Sequence, residues 1–172
     1  MSYTIRKAEN QDLPRIYKIY ATARQFMRDN GNHAQWGEGD RPEDLLEGDI
    51  RQGNLYVLEE IKNGENMLSE RIHAVFAFVE GPDPTYARIE QGSWKYDTEY
   101  SAVHRVASDG AVRNVLGQIM DYCKERMPHL RIDTHENNKV MQHVLEKCGF
   151  ERCGIVYVPD GSSRIAYEWI RK

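Results

Sequence analysis

The sequence predicts an α+β domain built on one mixed, mostly antiparallel sheet with helices on both faces. Its predicted elements run in the order strand, two helices, three strands, helix, strand, helix and two strands. Antiparallel strands therefore come first and strand–helix–strand units follow, which is typical of a single mixed sheet. The chain has 172 residues, enough for one hydrophobic core, so residues 1–172 are expected to form a single domain.

The stretch 103–120 is the centre of this prediction. It begins as a short apolar strand, turns at Asp109-Gly110 and continues directly as an amphipathic helix. The free N–H groups at a helix N-terminus favour an anion, so this turn is predicted to hold a pyrophosphate. The alternative is an ordinary strand–helix unit without a ligand. Steps of three and four residues place the apolar side chains of the helix on one face: Val112, Val115, Leu116, Ile119, Met120, Cys123 and Met127.

The N-terminal part supplies a strand at 3–6 and a helix that opens at 11–14, where Pro14 suits the first turn. A glycine-containing loop follows at 33–42. Trp36 in that loop either packs back on the body of the protein or lines a ligand pocket. The buried stripe of the helix is predicted to be Leu13, Ile16, Tyr17, Tyr20 and Met27.

A second helix is predicted at 42–52, and strands at 55–60 and 72–80 flank a polar hairpin loop at 62–71. The segment 85–100 is a long excursion before the central strand. Such an excursion is either functional or a lid over the core. Its aromatic residues are Tyr86, Trp94, Tyr96 and Tyr100.

The C-terminal part begins with a short strand at 131–134. Asn137 and Asn138 are predicted to cap the next helix, which ends at Cys148-Gly149. Strands at 150–158 and 165–170 follow, joined through a strong turn at 159–162. The inward side chains of the helix are predicted to be Val140, Met141, Val144, Leu145 and Cys148.

The composition argues against several classes of partner. The formal net charge is −4, and no run of lysine and arginine offsets it, so a nucleic-acid partner is not expected. No apolar stretch approaches the roughly 20 residues that span a bilayer, so a membrane partner is not expected either. The N-terminus also lacks the apolar core of a signal peptide. The three cysteines form no dense framework, which favours a reduced cytoplasm.

Three segments resemble one known family. They are the strand–turn–helix at 103–120, Asp-Thr-His-Glu-Asn-Asn-Lys-Val-Met-Gln at 133–142 and Glu-Lys-Cys-Gly-Phe at 146–150. With the order of elements, they resemble the GNAT family of acyl-CoA N-acyltransferases. The resemblance implies the acyl-CoA N-acyltransferase (GNAT) fold, with acetyl-CoA as co-substrate and no metal. It also implies that the pantetheine arm lies between the central strand and the strand at 131–134, with the pyrophosphate at the start of the following helix.

On this resemblance, the cofactor contacts are expected in the central strand, in the turn after it and at the cap of the later helix. The family's usual phosphate loop is Arg/Gln-x-x-Gly-x-Gly/Ala, and here Gly110 and Asn114 stand in for its glycines, with Gly117 further along. Asparagine tolerates a left-handed backbone less well than glycine. Arg113 is either a phosphate contact or a solvated helix arginine. The expected cofactor-binding residues are Val106, Ala107, Ser108, Gly110, Ala111, Val112, Arg113, Asn114, Val115, Asn137 and Asn138.

A second departure from the family concerns the leaving thiolate. Many members carry a tyrosine as proton donor just before the Glu-Lys-x-Gly-Phe stretch, where this chain has Leu145. Tyr157, on the penultimate strand, is the predicted replacement. The alternative for Tyr157 is packing in the core.

Acyl transfer to an amine needs a base and a polarised thioester carbonyl, but no covalent enzyme intermediate. His104 is the predicted base, and strand alternation places it on the same side as Val106, whose neighbourhood would supply a backbone N–H to the carbonyl. The alternative for His104 is a buried histidine bonded to the backbone. Glu99 and Tyr100, just before the strand, are further candidates for the base.

Residues on the neighbouring strand are weaker candidates. Asp133 and His135 are expected to be structural, with Asp133 holding Arg131 or a helix end. Cys123 and Cys148 fall on apolar helix faces and are expected in the core. A metal site is disfavoured because the spacing is not that of a zinc knuckle; its ligands would be His135, His143, Cys148 and Cys153.

The sequence thus predicts a cytoplasmic, acetyl-CoA-dependent N-acetyltransferase that acts on a primary amine of a small molecule or peptide. Its acceptor pocket is expected around Trp36, the segment 94–100 and the turn at Asp160. The main alternative is a non-catalytic acyl-CoA sensor or interaction module, which the altered loop and Leu145 favour. A nucleotide-binding strand–helix protein of another family is a third hypothesis. Exposed sheet edges make a homodimer a further expectation.

Overall fold

A computed structural model describes residues 1–37, 41–61 and 71–172. The predicted hairpin loop at 62–71 lies outside the described residues except for Arg71, and so does the part of the Trp36 loop at 38–40. Among the residues that are described, none of the helices has the length and apolar character needed to cross a bilayer.

The helices and strands follow the predicted order. The strands are β1 Ser2–Lys7, β2 Leu55–Ile61, β3 Ile72–Glu80, β4 Ser101–Ser108, β5 His129–Thr134, β6 Glu151–Tyr157 and β7 Ser163–Ile170. The α-helices are α1 Leu13–Asp29, α2 Leu46–Gln52, α3 Val115–Arg126 and α4 Lys139–Lys147. Within the described ranges, the strands form one seven-stranded sheet in the order β1-β2-β3-β4-β5-β7-β6, in which β4 and β5 are parallel. The predicted mixed, mostly antiparallel sheet is confirmed.

Residue contacts group the chain into two compact units. Unit 1 comprises Met1–Phe78 and Arg105–Ile119, and unit 2 comprises Val79–His104 and Met120–Lys172. The expectation of a single domain over 1–172 stays a prediction.

Unit 1 contains the antiparallel strands β1, β2 and the larger part of β3, with α1 and α2. The buried residues of α1 repeat at steps of three and four, as a helix packed on one face requires; they are Ile16, Ile19, Tyr20, Ala23 and Met27. Tyr17 was predicted in this stripe, but it is 40% exposed because it lies about 100° around the helix from Ile16. Trp36 is buried and packs edge-on against Tyr20. Of its two predicted roles, packing on the body is therefore confirmed.

Unit 2 contains β5, β6, β7 and the first residues of β4. Strand β7 lies between β5 and β6 and is antiparallel to both. The parallel register joins Ser101–Val103 to Leu130–Ile132, so it covers the first three of the eight residues of β4. His104 is the next residue of the strand. The aromatic segment before β4 packs on a buried cluster of this unit, which contains Tyr86, Ala102, Val156 and Ala166.

Buried polar side chains of β5 and β7 hold the segment 94–100. The carboxylate of Glu168, which is 2% exposed, accepts the backbone N–H groups of Lys95 and Tyr96 at 3.3 and 3.1 Å. His129, which is also buried, has Nδ1 2.9 Å from Thr98 Oγ1. Because a buried charge is costly without hydrogen-bond partners, these contacts fix the backbone of the segment.

Arg131 strengthens the same anchor. It donates to the carbonyl oxygen of Tyr96, and its guanidinium lies 4.1 Å from the ring centroids of both Trp94 and Tyr100. The expectation that Asp133 holds Arg131 is therefore wrong. Arginine stacks well on aromatic faces, and two such faces are available here.

One edge of β6 is paired with the excursion at 85–100 that precedes β4. Glu90 and Ile155 exchange two backbone hydrogen bonds of 2.9 and 2.8 Å. The approach requires glycine at two positions with positive φ, Gly92 at 153° and Gly154 at 157°, because a Cβ at either would collide with a backbone oxygen. The predicted homodimer stays a prediction, and this part of the β6 edge is already paired.

Two helix predictions need correction. Helix α3 begins at Val115 rather than directly after Asp109-Gly110, and the preceding Asn114 has a φ of 54° that a right-handed helix excludes. In α4, Val140 was predicted to face inward but is 52% exposed. The segment 42–52 is helical as predicted, although its first turn, Pro42–Leu45, is a 3-10 turn.

Candidate functional site

The last residues of β4 lie in unit 1 and depart from a regular strand at Arg105. This residue has a φ of 54°, which is rare for residues other than glycine and asparagine. Its carbonyl accepts the hydroxyl of Tyr20 at 2.7 Å, and its guanidinium donates to Asp49 at 2.7 Å. The prediction that His104 and Val106 share one side relied on regular alternation, which the conformation of Arg105 interrupts.

The turn after β4 is organised by the carboxylate of Asp109. One oxygen accepts Arg15 at 2.6 Å and lies 2.9 Å from His73 Nδ1, and the other accepts the N–H of Ala111 at 2.9 Å. The N–H of Asp109 donates to the carbonyl oxygen of His73. Asp109 therefore fixes both the start of the turn and its direction, as the sequence predicted for a turn at Asp109-Gly110.

Two residues of the turn have left-handed backbones, Gly110 at a φ of 79° and Asn114 at 54°. Gly110, Arg113 and Asn114 are exposed, whereas Val115 is buried at the start of α3. A Cβ on Gly117 would collide with the side-chain amide of Asn114. The side chain of Asn114 thus lies over the first turn of α3, and the absence of a side chain at Gly117 leaves room for it.

The expected cofactor residues fall in both units. Those from Val106 to Val115 belong to unit 1. Asn137 and Asn138 belong to unit 2, where Asn138 caps α4 by accepting the N–H of Met141 at 3.1 Å. The N–H of Asn137 donates to His135 Nδ1. The capping prediction is confirmed, and the role of these residues toward a cofactor stays a prediction.

His104 lies between two carboxylates of unit 2. Its Nε2 is 2.6 Å from Asp83 Oδ2, and its Nδ1 is 3.9 Å from Asp133 Oδ2. The alternative of a histidine bonded to the backbone does not describe this residue. About a fifth of its side chain, 18%, stays exposed, so the imidazole is held by a charged partner and still open to solvent.

Asp83 is held in position by its own segment. Its N–H donates to the hydroxyl of Tyr100 at 2.8 Å, and its Oδ1 accepts the N–H of Thr85 at 2.9 Å. Burial by itself would raise the pKa of Asp83, but the hydrogen bond and charge of His104, with the N–H of Thr85, lower that pKa below its ordinary value. An ionised carboxylate only accepts, so the imidazole proton lies on Nε2.

Asp133 has a different partner. It accepts the hydroxyl of the buried Tyr86 at 2.7 Å on the same oxygen that faces His104. Burial, followed by the charge of Asp133, raises the pKa of Tyr86 well above its ordinary value. Tyr86 therefore remains a hydrogen-bond donor, and its ring lies 5.7 Å from that of His104.

Sequence reasoning did not find this arrangement. Asp83 lies in a Gly-Pro-Asp-Pro stretch at 81–84, a pattern that indicates only the end of a strand, and Tyr86 is one of several aromatic residues of the excursion at 85–100. The one signal available was the order Asp-Pro-Thr, because aspartate before such a turn commonly accepts a nearby backbone N–H. That signal predicts the contact with Thr85 but not the contact with His104.

The other predicted catalytic residues lie apart from the contacts of His104. Glu99 is exposed just before β4. Tyr157 is 37% exposed, and its hydroxyl donates to Glu90 at 2.8 Å, so it does not pack in the core. That hydrogen bond raises the pKa of Tyr157. Leu145 is fully buried in α4.

None of the described contacts of His104 involves a cysteine. Cys123 is buried, as predicted, and burial raises its pKa to about 12. Cys148 is only partly buried. Within the described ranges, no group of three or more histidine, cysteine and acidic side chains is arranged to hold a metal ion.

No protein-family model matches the sequence, and no curated protein matches it either. Solved structures do. An acetyltransferase of the GNAT family from Streptococcus agalactiae is 28% identical, covers 99% of this chain and 96% of its own, and superposes with a TM-score of 0.85. This chain has the GNAT fold.

Two more distant structures share the GNAT fold. The ribosomal-protein-S18-alanine N-acetyltransferase from Escherichia coli is 17% identical over 99% of this chain and 96% of its own, with a TM-score of 0.59. The NatC complex bound to Gag peptide and CoA contains a chain that is 11% identical, with full coverage of both chains, 100% and 100%, and a TM-score of 0.60. The predicted family resemblance and the predicted acyl-CoA N-acyltransferase fold are confirmed.

Proposed function

We propose that this protein is an acetyl-CoA-dependent N-acetyltransferase. It moves an acetyl group to a primary amine of a small molecule or peptide by direct attack, without a covalent enzyme intermediate. The observation that carries the proposal is the likeness, over nearly the whole chain, to the streptococcal acetyltransferase. The buried Cys123 has a raised pKa, which makes it a poor nucleophile and agrees with direct attack.

The exposed turn of unit 1 is the proposed phosphate site. Two residues of the turn, Gly110 and Asn114, have left-handed backbones, and a left-handed residue next to right-handed ones can direct neighbouring N–H groups toward an anion. The twelve residues of α3 add the partial positive charge of a helix N-terminus. Arg113 supplies a guanidinium for a charge-assisted hydrogen bond. Val106 and Ala107, at the end of β4, are proposed to hydrogen-bond the pantetheine arm, as the family resemblance implies.

His104 is the proposed base. Its Nε2–H donates to an ionised Asp83, so its Nδ1 has a free electron pair. A histidine oriented by a carboxylate is suited to accept a proton near neutral pH. Tyr157 remains the proposed donor to the leaving thiolate, since Leu145 has no proton to give, and Glu99 remains an alternative base.

Titration calorimetry with acetyl-CoA and with desulfo-CoA tests the cofactor site. Binding of both, with 1:1 stoichiometry, is expected because the phosphates supply the charge-assisted contacts. Absence of heat with either ligand, together with an unchanged melting temperature, would overturn the proposed function and also the alternative of an acyl-CoA sensor.

Thiol release with a panel of primary amines tests the reaction. We expect turnover with at least one amine and a loss of roughly a hundredfold in kcat for His104→Gln, because general base catalysis contributes about that much or more. His143→Gln, an exposed histidine of α4, is the matched control and is expected to keep full activity. Binding of acetyl-CoA with no thiol release across the panel would favour the non-catalytic sensor instead.

A cytoplasmic location is part of the proposal. Three free cysteines agree with a reducing compartment. Cell fractionation with an antibody to the native chain tests it, and recovery of the protein in an exported fraction would contradict it.

A further inference from the structure

We infer that the acceptor amine binds as an ammonium ion between His104 Nδ1 and Asp133 Oδ2. Asp133 would hold the charge of the substrate and His104 would take its proton. This inference rests on the proposed function and identifies the residues that bind the amine substrate.

Two hydrogen-bond acceptors face each other at this point. Because Nε2 donates to Asp83, the Nδ1 atom presents an electron pair, and it is 3.9 Å from a carboxylate oxygen of Asp133. That distance is too long for a direct hydrogen bond. Two acceptors that face each other repel unless a donor group lies between them.

A primary ammonium fits the separation. Two hydrogen bonds of about 2.8 Å from one nitrogen reach acceptors about 4 Å apart when the acceptors subtend roughly a right angle at the nitrogen, which bends each N–H···acceptor bond by only about 10° from linear. The third N–H and the carbon substituent then point away from the pair. A tertiary or quaternary ammonium lacks the second donor and cannot make both contacts.

The charge around the site also favours a cation. Asp83 and Asp133 both lie close to His104, and the pKa of Asp83 is lowered. Arg131 is on the same strand as Asp133, but it is engaged with Tyr96, Trp94 and Tyr100. The side chains of His104 and Asp133 keep 18% and 11% of their surface exposed.

Tyr86 holds Asp133 for this role. Its hydroxyl donates to Asp133 Oδ2 at 2.7 Å, which fixes the direction of the carboxylate. We assign Tyr86 and Asp83 as positioning residues, and His104 and Asp133 as the residues that touch the substrate.

The reaction follows from these contacts. The ammonium gives one proton to His104 Nδ1, and the neutral amine then forms the C–N bond with the thioester carbonyl carbon. As the C–S bond breaks, Tyr157, the proposed donor, gives its hydroxyl proton to the thiolate, which leaves as the CoA thiol, and the second proton of the nitrogen restores the Tyr157 hydroxyl. His104 then returns its proton to solvent, so one amide, one thiol and one proton are the products.

Histidine side-chain NMR with methylammonium chloride tests the binding step without turnover. The resonances of His104 are assigned by their loss in His104→Gln. We expect a saturable shift of those resonances with methylammonium and none with tetramethylammonium. The shift should be lost in Asp133→Asn and kept in Asp121→Asn, a matched change at an exposed residue of α3. Absence of any shift in the unmodified protein, or an equal shift with tetramethylammonium, would overturn the inference.

Kinetics supply a second readout. For the best amine of the panel, Asp133→Asn should raise KM about tenfold or more, because a hydrogen bond to a charged group is lost, while the Kd for acetyl-CoA is unchanged. Tyr86→Phe should give a smaller rise in KM, which keeps the test informative if Asp133→Asn fails to fold. An unchanged KM in both variants would contradict a role of Asp133 in binding. If acetyl-CoA binds and thiol is released but methylammonium has no effect, the proposed function stands and this inference fails.

Discussion

His104 and Asp83 form a close pair, 2.6 Å apart and separated by 21 residues of chain. The pair joins β4 to the segment that follows β3, and both side chains are partly exposed, by 18% and 17%. Its geometry gives the imidazole one tautomer and leaves Nδ1 as an acceptor.

Asp83→Asn tests whether this pair matters for turnover. An amide can donate to Nε2 and so stabilise the other tautomer, which would place the proton on Nδ1. We expect kcat to fall roughly tenfold or more, with the Kd for acetyl-CoA unchanged by calorimetry. Asp121→Asn is the control. Equal kcat values in Asp83→Asn and the unmodified protein would show that Asp83 has no role in turnover.

Asp83 should also make the stability of the fold depend on pH in the acidic range. Because the pKa of Asp83 is lowered in the folded chain, its ionised form stabilises the fold above its unfolded pKa, about 3.9. That contribution is lost as pH falls through the folded pKa. Urea unfolding at several acidic pH values should show a shallower loss of stability in Asp83→Asn than in the unmodified protein, and parallel curves would contradict this.

Burial lowers the pKa of His129 below its ordinary value, so the unfolded chain binds a proton that the folded chain does not. Stability should therefore rise with pH up to about 6.5 and fall as pH decreases below it. Urea unfolding at about pH 7.5 and about pH 5.5 should show a smaller difference in His129→Gln than in the unmodified protein. His143→Gln should keep the full difference in stability between the two pH values. If that difference is lost in His143→Gln, the effect belongs to a group other than His129.

Gly92 is required by the close approach of the excursion to β6. A Cβ at this position would collide with the carbonyl oxygen of Cys153, and the backbone has little freedom to move. Gly92→Ala should lower the free energy of unfolding by about 2 kcal/mol or more. Gly48→Ala is the control because a Cβ there meets open space in α2; it should be neutral or stabilise by about 0.5 kcal/mol. Equal effects would show that the approach is not tight in solution.

Gly117 reports on the turn before α3. An added Cβ would displace the side chain of Asn114, while helix propensity changes by only about 1 kcal/mol in favour of alanine. If the turn binds the phosphates, Gly117→Ala should weaken acetyl-CoA binding several-fold with little change in the urea midpoint. If calorimetry shows an unchanged affinity for acetyl-CoA, the position of the Asn114 side chain does not affect cofactor binding.

Local sequence patterns accounted for most of the fold. The apolar periodicities predicted, in their correct order, the seven strands and four helices found in the described part of the chain, because periods of two and of 3.6 residues depend on near neighbours alone. The exceptions, Tyr17, Val140 and the start of α3, are positions where the burial of a side chain or one left-handed residue decides the outcome.

The candidate base could be chosen from sequence, since histidine on an apolar strand is conspicuous, but its partners could not. Asp133 lies beside His104 because β4 and β5 pair in parallel. Asp83 and Tyr86 approach His104 from the segment between β3 and β4, whose later part is anchored by Glu168, His129 and Arg131. Local patterning thus determined which elements form and that they make a mixed sheet, and the resemblance of three segments to a known family implied the GNAT fold. The tertiary structure decided which side chains meet around the imidazole, because contacts between residues distant in the chain depend on packing that no short-range period encodes.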